Sequence, residues 1–350
     1  MARRFIRHFW FASLWGLLLS CSKPGSEPAP VAAFPAVPAN FPSMPAFPDN
    51  PTTKDGVALG RKLFFDTRLS GNNQISCATC HRPEKAFSDG MVFSNAGITG
   101  TPLHRHTPSL MNMAWMNSGL FWDGGSTNLE SQAFAPLAAA DEMHQNLAEL
   151  MAELKNVPEY VRLFSEVFPQ GISQANVVKA LAQFQRSLIS AGSRYDKYVR
   201  KEAGGVLSAA ELRGMEIVRQ KCQGCHAGEL FTDNGYHNNG LDEHFDAGPL
   251  EGLYLGRGRI TYLPEDEGKY KTPTLRNLAF TAPYMHDGRF ADLRTVLNQY
   301  SEGTRSSATL DERLKPAPGI SGIPLTAGEK DDILAFLQTL SDSTFINSFN

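Results

Sequence analysis

The chain has 350 residues, 33 Lys and Arg against 36 Asp and Glu, and a formal net charge of −3. That balance offers no basic surface of the kind nucleic acid requires, and nothing beyond the N-terminus suggests a membrane. The length past the N-terminal segment, roughly 300 residues, is enough for two domains.

The chain opens with Arg3 and Arg4 ahead of a short apolar run from Phe9 to Leu19. The run is too short to span a membrane comfortably and reads as a signal peptide over residues 1–21. Leu18-Leu19-Ser20-Cys21 resembles a lipobox, so cleavage would leave the Cys21 thiol to be acylated; plain cleavage and an uncleaved anchor are the other readings. Residues 22–48, rich in Pro, Ala and Ser, predict an extended tether.

Helical spacing of apolar groups follows over Asp55–Phe65 (Val57, Leu59, Leu63, Phe64), and then SCATCH at 76–81. Residues 173–190 predict a helix capped by Ser173, with Val177, Leu181, Phe184 and Leu188 on one face. The second half repeats the plan. A capping box at Ser208–Glu211 opens a helix to about Gln220, and KCQGCH follows. Another box at Thr326–Glu329 opens a last helix carrying Ile333, Leu334, Phe336, Leu337 and Leu340. Strand signal is confined to a short pair near Phe231 and Tyr262. The fold class predicted is mainly α, with two cytochrome c-like domains over 49–204 and 205–345. Few residues in either half are spent on core, so each half should lean on a bound group for apolar volume.

The cysteines identify that group. There are five, and Cys77, Cys80, Cys222 and Cys225 fall in two C-x-x-C-H motifs. In such a motif both thiols can add to the vinyl groups of one haem, and the adjacent histidine can lie under the iron. A zinc ribbon needs its two cysteine pairs about 15–20 residues apart, unlike pairs that begin at Cys77 and Cys222. A thioredoxin-like redox pair needs a βαβ setting that is absent from the pattern. Two covalently bound haems c are therefore expected, with His81 and His226 as proximal ligands. Covalent haem attachment and the export signal agree on a periplasmic location, with the membrane reached only through a lipid on Cys21.

The ordered motifs LGRKLFFD, SCATCH, HTPSLMN, LFWDG, LESQAFAP with ADEM, KCQGCH and KTPTLRNLAFTAPYMHDGRF resemble the bacterial dihaem cytochrome c peroxidases and their MauG-type relatives, over nearly all of residues 50–340. The resemblance implies that peroxide reacts at the N-terminal haem and that the C-terminal haem relays electrons through a tryptophan between them, here Trp122. It implies a distal pocket of Gln132, Pro136 and Glu142. Glu142 is the acid–base candidate, because O–O heterolysis needs a proton moved between the peroxide oxygens. Outside that motif Glu142 would read as a surface glutamate and Trp122 as core.

Two departures stand out. Tyr300 occupies the position where typical family peroxidases carry a methionine on the relay haem, and MauG-type enzymes carry tyrosine there. A phenolate favours higher oxidation states than a thioether does. Met285 is the alternative ligand. Ile98 falls where many members have a blocking histidine, so the first haem is expected to be open; His104 and His106 are nearby substitutes. The resemblance also implies a calcium ion on the main-chain carbonyls of Thr281 and Pro283, with His106 in place of the usual amide ligand. Imidazole suits a hard cation poorly.

The function implied first is a peroxidase that reduces hydrogen peroxide with electrons from a small periplasmic cytochrome c or a cupredoxin. The second is a MauG-like oxidase that modifies a protein substrate through a high-valent dihaem state. The third is a plain dihaem electron carrier, which would have no need of the Gln132, Pro136 and Glu142 pocket. Family members are often dimers, and no interface signature is legible in the chain.

Overall fold

A computed structural model describes residues 34–245 and 253–349; the signal segment, Cys21 and the first part of the tether lie outside the described residues. The helices run α1 Lys54–Phe64, α2 Cys77–Cys80, α3 Leu129–Gln132, α4 Phe134–Ala138, α5 Leu147–Lys155, α6 Pro158–Val167 and α7 Gln174–Arg186. They continue with α8 Arg194–Val199, α9 Ala209–Lys221, α10 Gly258–Thr261, α11 Leu293–Asn298, α12 Ala327–Thr339 and α13 Ser343–Asn347. Among the described residues the only named strands are β1 Tyr236–His237 and β2 Tyr270–Lys271, paired antiparallel with Tyr236 opposite Lys271. The expected sites for that pair, Phe231 and Tyr262, instead sit at φ 52° and 60°. A left-handed residue cannot continue a strand, so the pairing begins past each of them.

The same packing device appears twice. The helix that leads into each C-x-x-C-H motif crosses a helix from later in its half at a glycine. A Cβ on Gly60 of α1 would stand 1.9 Å from the Ala180 carbonyl oxygen of α7, beside Phe184. A Cβ on Gly214 of α9 would stand 1.9 Å from the Asp332 carbonyl oxygen of α12, beside Phe336. Only glycine permits backbones this close. The caps read from sequence are in place: Ser173 accepts the Asn176 N–H, and Ser208 and Thr326 form reciprocal capping boxes with Glu211 and Glu329. The helix over 173–190 ends at Arg186, four residues short. Past it the Leu188 carbonyl accepts the Asn112 N–H (2.7 Å) and the Ser190 N–H donates to Asn112 Oδ1 (2.9 Å), so the backbone turns to a tertiary partner.

The halves differ in core. Among the described residues one cluster gathers 27 buried hydrophobic side chains, centred on α1, α5, α6 and α7 and joined by Phe345 and Ile346 of α13. A second gathers ten, around α9 and α12. The sparse core expected of both halves holds only for the second. The expected tether also differs over residues 34–48: Phe41 is buried edge-on against Trp115, and Asn40 Nδ2 donates to Asp196 at 2.8 Å. Phe41 and Phe47 give this Pro-rich stretch enough apolar surface to dock.

Candidate haem and peroxide site

Both C-x-x-C-H motifs adopt one local geometry. The His81 N–H donates to the Cys77 carbonyl and the His226 N–H to the Cys222 carbonyl, each at 2.9 Å. The ring Nδ1 of His81 lies 2.8 Å from the Phe87 carbonyl, and that of His226 lies 3.3 Å from the Phe231 carbonyl. A carbonyl only accepts, so Nδ1 carries the proton and Nε2 is left with a free lone pair. Both phenylalanines are left-handed (φ 63° and 52°), which turns their carbonyls back toward the rings. Burial lowers the pKa of both histidines, keeping the imidazoles neutral as a metal ligand must be. Burial pushes the thiols up, Cys77 and Cys225 to about 12 and Cys222 to about 11.

The cysteine pairs line separate cavities. A large one, about 470 Å³, is bordered by Cys222, Cys225, His226, Tyr300, Met285 and Trp122, with an apolar floor that includes Val218, Leu297 and Leu337. Its volume falls in the ~300–1,000 Å³ range of small-molecule sites. A narrower one, about 60 Å³, is bordered by Cys77, Cys80, His81, Gln132, Pro136 and Glu142, with Phe64, Leu110 and Leu181 closing on it. Two thiols, a neutral imidazole with Nε2 free and an apolar lining fit a covalently held haem at both places. At the second the volume fits as well, whereas at the first the fit rests on the donor set. Separate cavities leave a single four-cysteine zinc site without a basis.

The polar groups of the narrow cavity come from one folded-back segment. Gln132 ends α3 and Pro136 lies in α4, one helical turn on, so both share a face. The chain then reverses. The Met143 N–H donates to the Pro136 carbonyl (3.1 Å) and the Gln145 N–H to the Leu137 carbonyl (2.7 Å), which brings Glu142 back beside Pro136. Burial, and to a lesser degree the charge of Asp141, raise Glu142 to about 7. A carboxyl at that value can both take and give a proton near neutral pH. The Ile98 N–H donates to the Glu142 carbonyl at 2.9 Å, so the loop that carries a histidine in many family members is tied here to the acid's own backbone. His104 is exposed and lines neither cavity. His106 is buried with Nδ1 2.6 Å from the Met91 carbonyl and Nε2 3.3 Å from Ser88 Oγ, so both ring nitrogens are engaged. Neither histidine lines the narrow cavity.

Around the large cavity, Tyr300 sits in a single π-helical turn over Gln299–Gly303. Such turns recur at functional sites because they re-aim one side chain. Asn239 Nδ2 lies 3.5 Å from Tyr300 Oη and 3.5 Å from Met285 Sδ, so the two candidate ligands converge on one spot. Burial raises Tyr300 to about 12, and the Asn239 hydrogen bond opposes that. Thr281, Pro283 and His106 also line this cavity. Among the described residues the one group of three potential metal ligands, Cys225, His237 and Asp311, also borders this cavity, away from Thr281 and Pro283 in sequence. There the His237 nitrogens are occupied by Asp311 (2.6 Å) and Asp233 (2.8 Å).

Trp122 borders the large cavity and is held by main-chain groups from both halves. Its indole N–H donates to the His106 carbonyl (2.9 Å), and its own carbonyl accepts the Lys271 N–H (2.8 Å). These partners start matching segments, His106-Thr-Pro-Ser-Leu110 and Lys271-Thr-Pro-Thr-Leu275. The turn holding Trp122, bridged Leu120 to Ser126, is matched by one holding His286, bridged Tyr284 to Phe290, and the His286 carbonyl accepts the His106 N–H at 3.0 Å. Each half thus hands the first residue of its Thr-Pro segment to the other half's turn. The internal match was present in the sequence and would have singled out Lys271. Gln185 of α7, which also lines the narrow cavity and has Oε1 buried without a partner, had no such signal.

Comparison with known proteins agrees with this architecture. The family model for di-haem cytochrome c peroxidase matches residues 54–204. The methylamine utilization protein MauG of Methylorubrum extorquens is 37% identical over 304 residues, 85% of this chain and 81% of that protein. The cytochrome-c peroxidase IdrP1 of Pseudomonas sp. (strain SCT) is 34% identical over 333 residues, 87% of this chain and 86% of that protein. Among solved structures, a MauG-like protein associated with microbial copper homeostasis superposes with a TM-score of 0.79 at 37% identity, covering 89% of this chain and 96% of that one.

Proposed function

This chain belongs to the di-haem cytochrome c peroxidase family, and on that premise we propose that it reduces hydrogen peroxide in the pocket of Glu142, with electrons from a small cytochrome c or cupredoxin. The observation that carries the reading is Glu142 itself, a carboxyl raised to about 7 in the same cavity as Cys77, Cys80 and His81. Peroxide takes up two electrons and two protons and leaves as two waters. Haem, when bound, supplies the iron at which peroxide is reduced. Glu142, ionised, accepts the proton from the near oxygen of peroxide and returns it to the far oxygen as the O–O bond breaks. The Gln132 amide orients the incoming peroxide, and Pro136 keeps the adjoining wall free of a competing N–H. His81 is fixed by the Phe87 carbonyl so that Nε2 alone is offered to a metal. Trp122, bonded to both halves, connects the two sites.

The test is Glu142→Gln in the protein with both haems attached. Peroxide turnover should fall by about 10²–10⁴-fold, the usual contribution of a positioned acid–base group. Turnover within twofold of the parent would remove Glu142 from the mechanism.

A second reading, a peroxide-dependent oxidase acting on a protein substrate, is favoured by Tyr300 at the large cavity and Ile98 at the narrow one. Tyr300 would offer a phenolate to a haem held there, which would make that haem a poor store for an electron from an ordinary cytochrome. The two readings separate on whether a reduced cytochrome is oxidised in step with peroxide. The N-terminal apolar segment supports a periplasmic location with a lipid anchor on Cys21; among the described residues no helix is long and apolar enough to cross a membrane.

A further inference from the structure

Lys271 and His106 hold equivalent places in the two halves, and their side chains differ in kind. Both rest against Trp122 through the main chain. The His106 ring is satisfied by Met91 and Ser88. Lys271 is only 5% exposed and borders the large cavity together with Cys222, Cys225 and His226. Its hydrogen bonds go to Ser118 Oγ at 2.8 Å and, at a longer 3.4 Å, to the Asn234 carbonyl. An ammonium has three N–H donors, so one is left over.

No carboxylate lies within 4.0 Å of Lys271 Nζ among the described residues. The nearest acid in charge terms, Asp233, is already taken by His237 (2.8 Å) and the Gly235 N–H (2.7 Å). The ammonium stands 4.3 Å from the centre of the Tyr236 ring, and the Arg257 guanidinium stands 4.5 Å from the same centre. Arg257 is in turn bonded to the carbonyls of Asp123 and Gly124 and to no acid. A buried cation, Lys271, and a half-buried one, Arg257, share one ring with no anion between them. Burial and the charge of Arg257 lower Lys271 to about 8, which still leaves it mainly charged at neutral pH. A buried charge without a partner costs several kcal/mol, so a side chain kept in this place implies a counter-charge from the cavity side.

We propose that Lys271 is the counter-charge for a carboxylate of the haem held at Cys222 and Cys225, pairing with one of its two propionates and raising that haem's reduction potential. This rests on haem being attached at those cysteines. It assigns to the second half a cation that the first half replaces with a self-satisfied histidine. The electrostatic sense opposes that of Tyr300, so the pair of groups sets the relay potential between them.

The test uses the full protein with both haems attached, confirmed by mass and by the haemochrome absorbance. In Lys271→Met, the reduced-to-oxidised ratio of the second haem at fixed poise should fall about tenfold or more, which is a drop of 59 mV for one electron. The propionate bending mode in the resonance Raman spectrum should shift with it. Lys271→Arg should restore both. If Lys271→Met does not accumulate, Lys271→Gln, which keeps a donor toward Ser118, carries the same comparison. A potential and a propionate mode both unchanged, with only thermal stability lost, would overturn the proposal and leave Lys271 as a prop for Tyr236. A variant that lacks the second haem altogether would instead fail the attachment on which the proposal rests.

Discussion

The two C-x-x-C-H sites share a proximal design and differ in everything opposite it. On the histidine side each has the same turn, the same left-handed phenylalanine carbonyl and the same Thr-Pro segment from its own half. On the other side the first offers Gln132, Pro136 and a carboxyl tuned to about 7, whereas the second offers Tyr300, Met285 and Asn239 around a larger space. The surrounding scaffold diverges too, with 27 buried hydrophobic side chains near the first site and ten near the second. Attachment is thus fixed by a repeated local motif, and role is fixed by what the facing segment brings. The half with the Glu142 pocket carries the larger core, and the half around the larger cavity carries the smaller one.

The largest effect expected from that contrast is on stability. Replacing Cys222 and Cys225 with Ala should strip amide-exchange protection from α9 and α12 while α1 and α7 stay protected. The same change at Cys77 and Cys80 should leave α1 and α7 largely protected, because their core is mostly side chain against side chain. Equal loss of protection in both variants would show that the core difference carries no weight.

Next in size is the second site's potential. Tyr300→Met should raise the potential of that haem markedly, since a thioether favours the reduced iron that a phenolate disfavours. Met285→Leu should leave it near the parent value. The reverse pattern in a spectroelectrochemical titration would hand the ligand role to Met285, the other side chain beside Asn239.

Glu142 gives a pH signature. Its carboxyl is raised from 4.5 to about 7 in the folded protein by burial. Between those values the folded state keeps a proton that the unfolded state has lost, so stability falls as pH rises from about 4.5 to about 7. Glu142→Gln should flatten that part of a Tm-against-pH curve. In the parent, peroxide consumption should fall as pH drops below about 7, where the carboxyl is protonated and can no longer act as base. A consumption profile flat across that range would contradict the assignment.

The smallest change concerns the loop at Ile98. Ile98→His restores a side chain able to reach metal, on a backbone already bonded to the Glu142 carbonyl. Fully oxidised Ile98→His should react with peroxide several-fold more slowly than the parent in stopped flow. An unchanged rate would mean that the loop's tie to Glu142 keeps position 98 out of the pocket.

Much of this contrast was legible in the chain. The haem motifs and the capped helices follow from spacing, and the convergence of Gln132, Pro136 and Glu142 follows from the resemblance of ordered motifs alone. What was not legible depends on distant partners. The end of α7 at Arg186 is set by Asn112, a residue from another loop. The docked stretch around Phe41 needs Trp115, which its composition cannot reveal. The strand pair is displaced by two left-handed aromatics whose conformation no propensity anticipates. Lys271 reads as an ordinary lysine until its burial and its missing acid are seen together.

The most direct test of the central claim is a stopped-flow reaction of the fully oxidised protein with one equivalent of hydrogen peroxide, followed from the Soret band to the near infrared. An open pocket with Glu142 as its acid–base group requires rapid spectral change without prior reduction. No reaction until one haem has been reduced would contradict the account and place a sixth ligand on the first haem.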